Sequence, residues 1–140
     1  KLAVPDYILN KAAPLTAEEY AAIQQHPVVG AALLERFSSF RCLTDFVRYH
    51  HEHYDGTGYP KGLAGVRIPL EARIVGLADA VEAMASERPY HPAMLPTTIK
   101  EELKRCSGTQ FDPQIVDVFF AILERQGDTI LVDSAHSSYG

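Results

Sequence analysis

The sequence predicts an all-α domain, on three observations. Apolar residues recur at three- and four-residue spacing in successive segments, helix-start and helix-stop residues separate those segments, and no strand-rich region, repeat or low-complexity run interrupts them. At 140 residues, 46% of them apolar, the chain is one domain's worth with ample material for a core.

The elements follow in order. Thr16-Ala17-Glu18-Glu19 has the form of a capping box and starts a helix near Thr16. Pro27, after His26, breaks or re-aims it. Val29, Ala32, Leu33 and Arg36 continue at helical spacing, with Ser38-Ser39 as the stop. Leu43, Phe46, Val47 and His50, at i, i+3, i+4 and i+7, give the next helix a single apolar face. That register points His50 inward and sets His51, one turn after Val47, on the shoulder of the same face. Residues 54–69 hold four glycines and two prolines and read as a loop. A helix follows from about Pro69 with Ile74, Leu77, Ala78 and Val81 inward, and Asp79 lies inside that mostly apolar stretch. Glu87 to Pro92 is a second loop, and Ile99 to Cys106 reads as helix. Asp112-Pro113 is an N-cap followed by a first-turn proline, opening a helix with Ile115, Val118, Phe119 and Ile122 on its inner face. We expect the folded unit to span 1–126. The tail 127–140 carries one apolar patch, Thr129 to Val132, before a loose polar end.

Thirteen basic against eighteen acidic residues leave a net charge of −5, which argues against broad binding to nucleic acid or to an anionic membrane surface. Cys42 and Cys106 have no C-x-x-C spacing and read as reduced thiols of a cytoplasmic protein. No run reaches the roughly 18 apolar residues of a membrane span. The chain opens at Lys1 without a methionine and without a disordered lead-in, which reads as a piece of a longer protein.

The chemistry gathers at HHEHYDGTGYP, residues 50–60, where three histidines and two carboxylates occupy six positions before a glycine-rich, proline-ended loop. His26, His50, His51 and Asp79 stand out as polar groups on or beside apolar helix faces. Imidazole with carboxylate suits first-row metals such as iron, manganese or zinc better than calcium. Each has a plainer reading when taken singly. His26 before a proline fits a hydrogen-bonded capping residue, His50-His51 fits one buried and one surface ring, and Asp79 fits a carboxylate paired with Arg73 or Arg88. His53 and His136 read as surface histidines. The loop needs glycine dihedrals and ends in an aromatic residue with a fixed backbone after it. An ordinary connection leaves its position directly after the histidine pair unexplained.

HHEHYDGTGYPKGL resembles the signature of the HD-GYP family of metal-dependent phosphohydrolases. The resemblance extends over about residues 1–125, through Lys1–Leu15, IQQHPVVG at 23–30, Ala78-Asp79, Glu87-Arg88-Pro89-Tyr90 and Gly108–Pro113. It implies an HD-type helical bundle, here without its N-terminal helices, and a centre of two or three divalent metal ions, iron or manganese. His26, His50, His51 and Asp79 match metal ligands, and Lys1 matches a catalytic lysine beside the metal and phosphate. Gly58 and Tyr59 match a loop that contacts the guanine nucleotide, Arg88 a substrate-binding residue, and His91 a further phosphate contact.

The implied reaction is metal-assisted hydrolysis of cyclic di-GMP to linear pGpG, GMP or both, with cyclic GMP-AMP the substrate of some relatives. The implied partners are an upstream sensor or receiver domain and diguanylate cyclase domains, and uncovered apolar faces imply a homo-oligomer. A non-catalytic nucleotide- or partner-binding signalling module is the alternative, followed by a phosphohydrolase of another nucleotide. Two departures stand out. Val81-Glu82-Ala83 replaces the family's Tyr-Asp-Ala, and His91 stands where Arg or Lys is usual, which makes that contact weaker or pH-dependent. The family's His-Asp dyad and an upstream ligand helix belong before Lys1, so residues 1–140 on their own are expected to be inactive.

Overall fold

The computed structural model describes residues 4–9, 11, 13–87, 92–128 and 130–131, and the regular elements among them are helical. They are α1 (Asp6–Leu9), α2 (Ala17–Gln24), α3 (His26–Glu35), α4 (Thr44–Tyr49), α5 (Leu70–Ala85), α6 (Pro96–Cys106) and α7 (Pro113–Gln126), with 3-10 turns at Ser38–Leu43 and Gly65–Arg67. The one β-type pairing among the described residues is an isolated bridge between Ser107 and Phe111.

Local signals account for most boundaries. The Thr16 hydroxyl accepts from the Glu19 amide while the Glu19 carboxylate accepts from the Thr16 amide, a complete capping box at the start of α2. α2 ends at Gln24, and α3 restarts at His26 with Pro27 in its first turn, so the proline re-aims the chain. Asp112 caps α7 by accepting from the Gln114 amide at 2.9 Å. α6 begins at Pro96, three residues before the expected Ile99, because Pro96 fits a helix's first turn, where no amide is required. α3 stops at Glu35, ahead of Ser38-Ser39, and those serines open a 3-10 turn instead.

Helix phase departs from expectation in three places. Leu43 ends the 3-10 turn and is exposed, while the next residue, Thr44, is buried against the neighbouring helices. On α5 the buried positions are Ala72, Leu77, Val81 and Ala85, whereas Ile74 is 47% exposed and Ala78 lies on the open side. On α7 the inner face is Val116 and Leu123, with Phe119 and Phe120 beside them. Val118, expected inward, is 60% exposed, and Ile122 is exposed as well.

The core sits in the C-terminal half. Leu77, Val81, Ile99, Leu103, Phe111 and Leu123 pack together, and Leu131, within the apolar patch after Gly127, joins them. α5 packs on α6 and α7 and, on its other side, on α4; α4 packs on α3, and α3 on α2. α2 buries none of its residues fully, and Val29, Leu33, Phe37 and Phe40 are exposed along the N-terminal half.

One buried ion pair connects the two ends of the core. Arg73 of α5 donates to Asp112, whose side chain is 2% exposed against 13% for the arginine, and the Arg73 Nε also donates to the Ile68 carbonyl at 3.0 Å. Arg73, one of the partners expected for Asp79, is thereby engaged elsewhere. Asp112→Ala removes a helix cap and strands the guanidinium, so we expect a loss of about 3–5 kcal/mol, read as a lowered midpoint in urea unfolding.

Candidate metal centre

Helix ends bring the histidines together. His26 is the first residue of α3, His50 is the C-cap of α4, and His51 follows it directly. The coordinating nitrogens of these three half-buried residues all lie within 4.8 Å of one another. The His26 and His51 Nε2 atoms are 3.2 Å apart.

Backbone carbonyls orient two of the rings. The His26 Nδ1–H donates to the Ile23 carbonyl at 2.7 Å, in the last turn of α2. The His50 Nδ1–H donates to the Val47 carbonyl at 2.8 Å, in the last turn of α4. With Nδ1 used as donor, each neutral ring presents its Nε2 lone pair, the arrangement that metal-binding histidines use.

Desolvation disfavours the charged form of His50 and His51. Burial, followed by the nearby rings of His50, His26 and His53, lowers the His51 pKa to about 3. Burial also lowers that of His50, against the opposing pull of the Val47 carbonyl and Asp79. A donor set of three imidazoles fits a divalent first-row cation.

Two glycines permit the approach of the surrounding backbone. A Cβ on Gly76 would meet the His50 carbonyl oxygen at 2.6 Å, so only glycine lets α5 lie against the end of α4. A Cβ on Gly58 would meet the His53 amide nitrogen at 2.2 Å and the His51 oxygen at 2.5 Å, so the 56–63 loop lies directly on the backbone of the histidine segment. The Tyr59 amide donates to the His51 carbonyl at 3.1 Å, and the Tyr59 ring stacks on the His51 imidazole at 5.0 Å between centroids. Burial first, then Tyr20 and Asp79, raise the Tyr59 hydroxyl to about 12, so it remains a donor throughout the neutral range.

Asp79 is exposed on α5 and stands outside the mutual 4.8 Å set, yet it lines the same cavity of about 390 Å³ as His50 and His51. His53 lies beside the trio and contacts the Thr57 hydroxyl at 3.1 Å; that hydroxyl donates to Asp55 at 2.7 Å. Lys1, Arg88, His91 and His136 lie outside the described residues. Sequence reasoning passed over Gly76 and Glu52. An isolated glycine inside a helical pattern was the available signal for the first. Nothing in residue type distinguishes Glu52, a buried carboxylate, from a ligand.

The HD domain family profile matches residues 1–115. The chain belongs to the HD domain family. Among similar proteins are a Vibrio cholerae cyclic di-GMP phosphodiesterase, 40% identical over 89% of this chain and 27% of its own length, and the Xanthomonas campestris cyclic di-GMP phosphodiesterase response regulator RpfG, 43% identical over 84% and 32%. A 3'3'-cGAMP-specific phosphodiesterase of Vibrio cholerae is 36% identical over 84% of this chain and 23% of its own. The chain thus spans about a third or less of these relatives. The crystal structure of a cyclic GMP-AMP phosphodiesterase from V. cholerae aligns with a TM-score of 0.55 at 20% identity, over 92% of this chain and 35% of the other, a likeness of fold. The resemblance read from HHEHYDGTGYP and the helical HD architecture are both borne out.

The depressed histidines give this HD domain a defined pH response. Below the ordinary value of 6.5 an unfolded His51 binds a proton that the folded ring refuses until about pH 3. Stability is therefore full above about pH 7 and falls as the pH drops through that window. In EDTA we expect a lower urea midpoint at about pH 5 than at about pH 7.5, above the main carboxylate range, with the slope reduced in His51→Gln.

Proposed function

We propose that the protein carrying this chain is a metal-dependent phosphodiesterase acting on cyclic dinucleotides, cyclic di-GMP foremost. The observation that carries this reading is the three-imidazole cluster, with two of its rings locked to leave Nε2 free. The names of the relatives support the substrate class, and three of the matching proteins are named for 3'3'-cGAMP, which makes that nucleotide the second substrate to examine.

His26, His50 and His51 would hold a divalent cation, with Asp79 as a carboxylate ligand from the cavity wall. Iron or manganese suits such a mixed set, and two or three ions complete the centre once further ligands join. The bound metal supplies Lewis acidity toward a phosphodiester and an acidified water at neutral pH. The chain's own residues set the surroundings. His50 and His51 stay neutral and keep their lone pairs available, and the Tyr59 hydroxyl keeps its proton for donation to substrate. Gly58 lets the loop lie close enough for that donation. Lys1 and His91 are assigned to phosphate, and Arg88 to phosphate or base. An upstream sensor or receiver domain, and association with diguanylate cyclase domains or a second copy, complete the proposal.

The test is hydrolysis of cyclic di-GMP and 3'3'-cGAMP by the longer protein, loaded separately with iron and with manganese. We expect turnover that EDTA abolishes and that His26→Ala and His50→Ala eliminate together with bound metal. Residues 1–140 assayed beside it should be inactive. Wild-type turnover that survives chelation and both substitutions would refute the proposal.

A further inference from the structure

After the histidine pair the chain returns on itself, and one buried side chain holds it there. Glu52, between His51 and His53, is 7% exposed. Its Oε1 accepts from the Lys61 amide at 2.6 Å and its Oε2 from the Leu63 amide at 2.9 Å. Between those anchors and the histidines runs the segment that carries Gly58 against the 51–53 backbone and Tyr59 against the His51 ring, with ring planes 25° apart.

His51 is oriented differently from its two neighbours. His26 and His50 each give Nδ1–H to a backbone carbonyl. The His51 ring is bounded instead by the Tyr59 stack, the His26 Nε2 contact and the other imidazoles. Its direction therefore depends on where Tyr59 stands, and Tyr59 stands where the loop is tied.

The geometry points to Glu52 as a positioning residue: by fastening the Lys61 and Leu63 amides it sets Tyr59 against His51 and so orients the third imidazole of the cluster. The inference rests on the reading of the three histidines as metal ligands. A carboxylate suits the task because both groups facing it are N–H donors. Glutamine has a single acceptor oxygen and turns its own NH2 against one of the amides, and aspartate is a methylene short. Partners that orient a ligand are typically worth ten- to a hundredfold in metal affinity.

The experiment is a cobalt(II) titration of the longer protein that carries this chain, read from the visible absorption of the bound ion, with melting temperature followed alongside. The wild type comes first: cobalt binding that is absent, or indifferent to His26→Ala, overturns the metal reading and this inference with it. Where that binding stands, Glu52→Gln should weaken it about ten- to a hundredfold, and Tyr59→Ala by a similar factor. Tyr59→Phe keeps the ring and should stay within about twofold of wild type. The double variant Glu52→Gln/Tyr59→Ala should bind no more weakly than its weaker parent, because both changes act through one ring. A Glu52→Gln chain that melts earlier yet binds cobalt as the wild type does, or losses that simply add in the double variant, would show Glu52 to be structural only and leave the metal reading intact. If Glu52→Gln does not fold, Glu52→Asp is read by the same criteria.

Discussion

Three imidazoles with coordinating nitrogens inside 4.8 Å would repel one another strongly as imidazolium ions, and much of the local architecture follows from that constraint. Two like charges about 4 Å apart in a half-buried site repel by about 4 kcal/mol. Burial disfavours the charged form of His50 and His51, and backbone carbonyls fix the tautomers of His26 and His50. Short helices serve this end: α2 and α4 each finish where a last-turn carbonyl can take the Nδ1 proton of His26 or His50. The facing Nε2 atoms of His26 and His51 at 3.2 Å then have two ways to be satisfied, a shared proton or a cation.

Maintaining that spacing requires a frame, and the frame is backbone on backbone. Gly76 lets α5 lie against the His50 carbonyl, and Gly58 does the same for the returning loop against residues 51–53. On the far side of the cavity, Arg73 and Asp112 join α5 to the start of α7, while the Tyr54 and Asp55 amides donate to the Gln110 and Thr109 carbonyls at 3.1 and 2.8 Å. The stretch Gly108–Pro113 thus serves the site as a buttress for the histidine segment.

What could be read from the sequence follows from how local each cause is. The Thr16 capping box, the proline after His26 and the Asp112 cap act within one helical turn, and each appears where expected. Helix phase is a different matter. From Ile115 to Leu123 nearly every residue is apolar, so periodicity leaves the face undetermined, and packing chose Val116 and Leu123. Before α4 a 3-10 turn ends at Leu43 and leaves it exposed, with Thr44 buried beside it, while Phe46, Val47 and His50 stay partly buried as expected. The three histidines were legible because motif and helix ends agree. Asp79 was legible as a neighbour of the site. The task of Glu52 was not, since its partners lie nine and eleven residues on and are amides that every residue possesses.

The bonds from Tyr54 and Asp55 to the 109–110 turn have a kinetic meaning. An amide in a glycine-rich loop ordinarily exchanges its hydrogen by local fraying, at almost no cost in free energy. These two are bonded to the turn between α6 and α7, whose side chains form the core. Solvent deuterium reaches them when that turn separates from the loop. Protection of these two amides is therefore tied to the turn between α6 and α7 rather than to the glycine-rich residues that follow them.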